Sequence, residues 1–148
     1  MSQAQPVAVI SGGNGGYAAA ADLSDRGISV RHYVRTPAHH TELLDTKRIR
    51  LRVSEVYQGN QRTPGTVEDV PIETVTDDLA EALSDAKLIL VLVPKLHQRK
   101  LFSDLAPHLT DDQTVLLAPG GFGAWILREH LEDRSHPPGL SRVMIPKK

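Results

Sequence analysis

Apolar residues in this chain come in short runs separated by clusters of glycine, proline and charge, the spacing expected of alternating strands and helices. Val7-Ala8-Val9-Ile10 is an unbroken apolar run that stops at a glycine cluster. Such a run reads as a strand covered on both faces, as in a parallel sheet. A helix is expected from Gly15 to Arg26, with the small residues Ala18, Ala19, Ala20 and Ala21 allowing close approach to a sheet. Gly27 stands where a left-handed C-terminal cap belongs, and Ile28 to Val34 reads as a second strand. Strand, glycine turn, helix, glycine and strand together make one βαβ unit of about 30 residues.

Further along, Pro37 to Lys47 is expected to be helical, with Pro37 in the first turn. Ile49-Arg50-Leu51-Arg52-Val53 alternates apolar and polar residues, the pattern of a half-exposed strand. Gln58 to Gly65 carries Gly59, Asn60, Pro64 and Gly65 and reads as a turn joining two strands of a small antiparallel excursion. Asp77 or Asp78 caps a helix that runs through Leu83. Leu88 to Val93 is the most apolar strand and is placed in the sheet centre. Lys95 to Leu105 is helical and stops before Pro107, Thr114 to Ala118 is a strand, and Gly121 or Gly123 opens a last helix to about Glu132. This order predicts an α/β fold, a doubly wound parallel sheet with a small antiparallel excursion. Residues 1–133 form one domain in this reading. Residues 134–148 form an irregular tail, whose stretch from Ser135 holds three prolines and a glycine and ends in two lysines.

The turn after the first strand carries the candidate chemistry. Ser11-Gly12-Gly13-Asn14-Gly15-Gly16 fits a G-x-G-x-x-G/A pattern in two registers, Ser11/Gly13/Gly16 or Gly13/Gly15/Ala18. The first begins directly after the strand, where a dinucleotide-binding fingerprint belongs, and is preferred. In that register Gly13 lets the backbone approach a pyrophosphate, and Gly16 permits close packing of helix on strand. The helix N-terminus around Asn14 to Gly16 offers free N–H groups and the positive end of the helix dipole. Ser11 departs from the pattern by replacing its first glycine, and either strains the turn slightly or adds a hydrogen bond. The pattern thus implies a Rossmann-type unit that holds a nicotinamide dinucleotide.

The end of the second strand decides between the two nicotinamide dinucleotides. NAD-binding units place a carboxylate there, on the ribose 2′-hydroxyl. No Asp or Glu lies between Asp25 and Glu42, and the strand ends Val34-Arg35-Thr36. A guanidinium pairs with phosphate through a planar, charge-assisted fork. NADP is therefore the expected cofactor, with Arg35 on its 2′-phosphate and Thr36 adding a hydroxyl; NAD is the second choice. In open sheets ligands sit beyond the carboxyl ends of the strands. Val93, Pro94, Lys95, Pro119 and Gly120 occupy those ends, and the backbone around Val93-Pro94 and Pro119-Gly120 is expected to line the nicotinamide side. For Pro94 and Pro119, simple termination of a strand by proline is an equal alternative.

Composition narrows the setting. The 148 residues carry 17 Lys and Arg against 18 Asp and Glu, a net charge of −1. That balance argues against nucleic acid and against a polybasic membrane signal. There is no cysteine, which removes disulfides, thiol catalysis and zinc–thiolate sites. No apolar run approaches the ~20 residues of a membrane span, and a cytoplasmic setting is the expectation. His39-His40 does not read as a metal site, because adjacent residues on a helix point apart. His97 lies just past Pro94, within reach of a nicotinamide, although a surface histidine is the simpler reading.

Three segments resemble the N-terminal domain of the opine (octopine/nopaline) dehydrogenase family. They are Val9 to Leu23 with its glycine turn and alanine run, Leu88-Ile89-Leu90-Val91-Leu92-Val93-Pro94, and His108-Leu109 with Gln113 to Gly121. The later segments are also broadly similar to the cofactor domains of glycerol-3-phosphate dehydrogenase and ketopantoate reductase. The opine resemblance implies an oxidoreductase that condenses an amino acid with a 2-oxo acid and reduces the imine with NAD(P)H. Members of that family carry a second, mostly helical domain that supplies the catalytic residues. No part of these 148 residues resembles it, so no catalytic residue is assigned and a truncated product is expected. A stand-alone NAD(P)-binding or sensing module is the alternative, and an exposed docking face would favour a homo-oligomer.

Overall fold

The computed structural model describes residues 5–52, 67–118, 121–132 and 143–144. Its strands are β1 (Val7–Ile10), β2 (Val30–Tyr33), β3 (Arg48–Arg52), β4 (Val67–Pro71), β5 (Thr74–Thr76), β6 (Leu88–Val91), β7 (Thr114–Leu117) and β8 (Val143–Met144). Its helices are α1 (Asn14–Asp25), α2 (Thr41–Thr46), α3 (Leu79–Leu83), α4 (Lys95–Leu105) and α5 (Gly123–Glu132). The main sheet runs β5-β2-β1-β6-β7-β8 with every pairing parallel. Numbered within this sheet alone, that is the 3-2-1-4-5-6 order of a doubly wound nucleotide-binding fold. The strand order reverses between β1 and β6. The expected antiparallel excursion is the β3–β4 hairpin, which pairs outside the main sheet.

Side-chain alternation along the strands divides the interior in two. β1 sends Ala8 and Ile10 to one core, shared with Leu101, Phe102 and Leu105 of α4 and Leu127 and Leu131 of α5. Val9 goes to the other core, shared with Ala20 and Ala21 of α1, Leu43 of α2 and Ile49 of the hairpin. β6 repeats this, with Ile89 and Val91 on the first side and Leu90 packed on the second. Helices on both faces cover the central strands, which is why those strands are runs of apolar residues.

Several elements differ from the sequence-based expectation. The expected helix over Pro37 to Lys47 is interrupted at His40 (φ −133°, ψ 27°), which leaves a tight 3₁₀ turn (Pro37–His39) and the short α2. Only half of the alanine run faces the sheet: Ala20 and Ala21 are buried, whereas Ala18 is exposed. Strand β5 has no apolar run to announce it; its three residues pair with β2 at the sheet edge. The tail is not wholly irregular, because Val143–Met144 pairs with β7 as a sixth strand. The expected turn over Gln58 to Gly65, the end of the β3 segment at Val53, and the rest of the tail lie outside the described residues. Gly27 caps α1 with φ +79°, and Asp78 caps α3 by accepting from the N–H groups of Ala80 and Glu81.

One glycine sets how closely α1 lies on β1. A Cβ at Gly16 would stand 2.5 Å from Ser11 Cβ and 2.8 Å from the Ser11 carbonyl oxygen. Backbone has to move before any larger residue fits. At Gly15 the same atom would meet only Leu92 side-chain carbons, the nearer at 3.7 Å. We expect Gly16→Ala to lower unfolding free energy by about 1–3 kcal/mol, the usual cost of overpacking. Gly15→Ala should leave stability unchanged or raise it by up to about 1 kcal/mol through helix propensity. Urea denaturation of the two variants beside the parent protein checks the contrast.

Candidate functional site

Ser11 is the first residue beyond β1 and is buried. Its backbone N–H donates to Tyr33 O at 3.2 Å, which extends the β1–β2 ladder by one step. Its hydroxyl donates to Leu92 O at 2.7 Å, just beyond β6. The same oxygen accepts from the Gly13 N–H at 3.2 Å. His32 on β2 is fully buried and donates from Nε2 to the Ser11 carbonyl at 2.6 Å. Ser11 therefore supplies the additional hydrogen bond, and ties together the carboxyl ends of β1, β2 and β6.

The glycine turn follows. Gly13 is the N-cap of α1, so Asn14 and Gly15 occupy the first two helical positions and their N–H groups have no acceptor within the helix. Gly12, Gly13, Asn14 and Gly15 are all exposed, and the first turn carries no acidic residue. The Gly13 backbone is open to close approach, with only Ser11 Oγ near a hypothetical Cβ at 3.8 Å. Its N–H, however, is already held by that hydroxyl, so the donors available to a ligand are those of Asn14 and Gly15.

Beyond β2 the chain turns outward at Arg35 and Thr36, both exposed. His40 then folds back over the glycine turn. Its Nε2 would lie 2.7 Å from a Cβ on Gly12, and its Nδ1 is 2.8 Å from the Tyr17 hydroxyl. The Tyr17 ring packs edge-on against His32 at 5.4 Å between centroids and tilted against His40 at 5.8 Å. His40 is half-buried and belongs to this site, although the sequence pattern left it on the surface. The signal that finds it is spatial, a tyrosine one helical turn into α1, and has no fixed spacing in the chain.

Beyond β6, Val93 and Pro94 lead into α4. Gln98, 1% exposed, donates from Nε2 to Val93 O at 3.0 Å and so fixes that turn from below. Lys95 packs across Gly121, shortly before α5. Pro119 and Gly120 lie outside the described residues.

These segments enclose one cavity of about 280 Å³ at the point where the strand order reverses. It is lined by Ser11, Gly12 and Gly13 after β1, Arg35, Thr36 and His40 after β2, and Leu92, Val93, Pro94 and His97 after β6. No carboxylate is among its described lining residues, whereas an arginine and two histidines are. Asn14, Gly15 and Gly16 do not line it but form the helix start beside it. Burial holds the His32 pKa below the ordinary imidazole value, opposed in part by the bond to Ser11 and reinforced by His40. His40 is lowered by burial and by His39 beside it. Burial and the Glu42 charge raise the Tyr17 pKa, so its hydroxyl keeps its proton. Among the described residues no group of three or more His, Asp and Glu side chains is placed to hold a metal, and no helix is long and apolar enough to cross a membrane.

Residues 6–133 match the family described as the N-terminus of NAD-dependent glycerol-3-phosphate dehydrogenase. The chain belongs to this family. Its relatives include both glycerol-3-phosphate and opine dehydrogenases. A glycerol-3-phosphate dehydrogenase [NAD(P)+] of Koribacter versatilis (strain Ellin345) is 36% identical over 115 residues, covering 78% of this chain and 31% of the relative. An opine dehydrogenase of Arthrobacter sp. (strain 1C) is 29% identical over 138 residues, covering 93% of this chain and 36% of the relative. A solved structure of octopine dehydrogenase in complex with NADH and agmatine superposes with a TM-score of 0.72 at 21% identity, over 87% of this chain and 32% of that one. The fold is thus that of the N-terminal domain in this group of dehydrogenases, and the chain spans about a third of the length of the relatives it matches.

Within this member of the family, the burial of His32 generates a pH dependence. The fold prefers neutral His32, so the unfolded chain binds more protons once pH falls to the ordinary value of 6.5. Stability is therefore full above that value and declines as pH drops through it, with His40 acting in the same direction. We expect the melting temperature to fall between about pH 7.5 and pH 5.5, and His32→Gln, which keeps an amide donor for Ser11 O without titrating, to flatten that slope. Thermal melts of both proteins across this range supply the check.

Proposed function

We propose that this chain is the NADP(H)-holding half of an oxidoreductase of the opine-dehydrogenase type. The observation that carries the reading is the cavity at the strand-order reversal. It runs from the exposed N-terminus of α1 to Arg35 and Thr36 with no carboxylate in its described lining. A pyrophosphate fits beside the Asn14 and Gly15 N–H groups, where the helix dipole favours negative charge. Arg35 then meets the 2′-phosphate through its guanidinium fork, with Thr36 beside it. Val93 and Pro94 form the nicotinamide side. When bound, the dinucleotide supplies a hydride.

The residues of this chain orient and shield that cofactor. Ser11 and His32 keep the turn rigid, so little ordering is needed on binding. Gln98 holds the β6–α4 turn, and Leu92 and Leu101 give the cavity an apolar wall. The reduced partner in this reading is the imine formed from an amino acid and a 2-oxo acid. The 36% identity to a glycerol-3-phosphate dehydrogenase favours a second reading, in which the same cofactor domain serves oxidation of glycerol 3-phosphate.

Binding and turnover are tested separately. NADPH and NADH are titrated against the 148-residue chain by fluorescence, with NADPH expected to bind more tightly. Arg35→Ala should weaken NADPH by about tenfold or more, the worth of a charge-assisted hydrogen bond, and NADH by much less. Equal loss for the two nucleotides sinks the NADP assignment. NADPH oxidation with amino acid and 2-oxo acid mixtures, beside NADP reduction with glycerol 3-phosphate, distinguishes the two substrate readings. Binding without turnover in either assay favours a module that binds the nucleotide without catalysis of its own.

A further inference from the structure

The sequence pattern assigns phosphate contacts to the glycine turn and to Arg35, and leaves His40 out. In the structure His40 stands between them. Its ring covers Gly12 on one side and shares the cavity with Arg35 and Thr36 on the other. Its Nδ1 is taken by the Tyr17 hydroxyl at 2.8 Å, while its Nε2 has no hydrogen-bond partner among the described residues.

Tyr17 determines what that free nitrogen presents. The phenol keeps its proton. Against a neutral imidazole it donates to Nδ1, which places the ring proton on Nε2. Against a charged imidazole it accepts from Nδ1–H, and Nε2 again carries a proton. In both states the nitrogen at the cavity is a donor. Tyr17 is itself steadied by the buried His32 ring. The same side chains that fix Ser11 from beneath thus aim His40 from above.

We propose that His40 is a phosphate-binding residue of this site, donating from Nε2 to an anionic oxygen of the ligand and taking up a proton when the ligand binds. The proposal rests on the dinucleotide reading above. In the ligand-free protein the surroundings disfavour imidazolium. His39 lies beside the ring, Arg35 shares the cavity, and Arg48 and Arg50 of β3 line the cleft behind it, with Arg48 partly offset by its ion pair to Asp69. His32 lies behind Tyr17 and His97 at the far end of the cavity, while Glu42 in the rear cleft opposes these positive charges. A bound phosphate reverses the balance, because an opposite charge at contact distance favours the charged form. Two phosphates of the dinucleotide have this chemistry, the central pyrophosphate and the 2′-phosphate.

Calorimetric titrations of NADPH and NADH into the full chain near neutral pH, each in two buffers of different ionisation enthalpy, read affinity and proton uptake together. His40→Phe keeps a ring over Gly12 and removes the donor. It should weaken binding about tenfold and abolish the His40 share of proton uptake. The comparison with the parent protein cancels proton exchange by the ligand's own phosphate. A loss confined to NADPH assigns His40 to the 2′-phosphate; a loss for both nucleotides assigns it to the pyrophosphate. His40→Gln restores an amide donor at the Nε2 position and should recover part of the affinity with none of the proton uptake, which simple loss of packing would not reproduce. Unchanged affinity and unchanged proton uptake in His40→Phe overturn the role of His40 alone. Failure of the parent protein to bind either nucleotide overturns the dinucleotide reading together with it.

Discussion

The fold converges on the hydrogen bonds of one serine. Three parallel strands end at the switch point, and the backbone groups just beyond them need partners. Without partners, these backbone groups would drift apart or bind one another in several ways. Ser11 settles them in one arrangement. The Gly13 N–H donates to its hydroxyl, the hydroxyl donates to Leu92 O, and its own carbonyl accepts from His32. Each bond polarises the next, so the network is stiffer than its members taken singly. The result is a glycine turn whose position is set by β2 and β6 as much as by its own residues.

This stiffness has a cost and a use. His32 is buried with its second nitrogen, Nδ1, unpartnered, which penalises the fold by about 1–3 kcal/mol. In return the turn stands in place before any ligand arrives. The Gly16 contact works in the same direction, holding α1 against Ser11 so closely that no side chain fits between them. The helix start is thereby fixed relative to the strand ends. Tyr17 and His40 extend the arrangement outward, since the ring that leans on His32 also holds the histidine that covers Gly12.

Much of this was legible in the chain. The apolar runs of β1, β6 and β7 and the glycine punctuation of α1 gave the doubly wound sheet, because central parallel strands have no polar face to blur the signal. The preferred register of the glycine pattern is consistent with the geometry, for Gly16 is the position that abuts Ser11. What escaped were features made by distant parts of the chain. Strand β5 is three residues of mixed polarity that pair only because β2 offers an edge. The occupied Gly13 N–H depends on a serine rotamer set by Leu92, 81 residues away. His40 reads as one of two adjacent histidines on a surface helix until that helix breaks at the 3₁₀ turn and turns one ring inward. Neither the break nor the partner had a local mark, since Pro37 suits the first turn of an unbroken helix.

The central claim is that a rigid turn, built on Ser11, offers the Asn14 and Gly15 N–H groups to a pyrophosphate. Amide chemical shifts of the isotope-labelled chain, followed by NMR as NADPH is added to saturation, test it most directly. The account predicts that the largest shifts fall on Asn14 and Gly15, with a second group at Arg35, Thr36 and the residues after β6, and that the Gly13 amide moves little because it stays bound to Ser11. Saturable binding that leaves Asn14 and Gly15 unmoved, or that shifts residues of the β3–β4 hairpin instead, would contradict it.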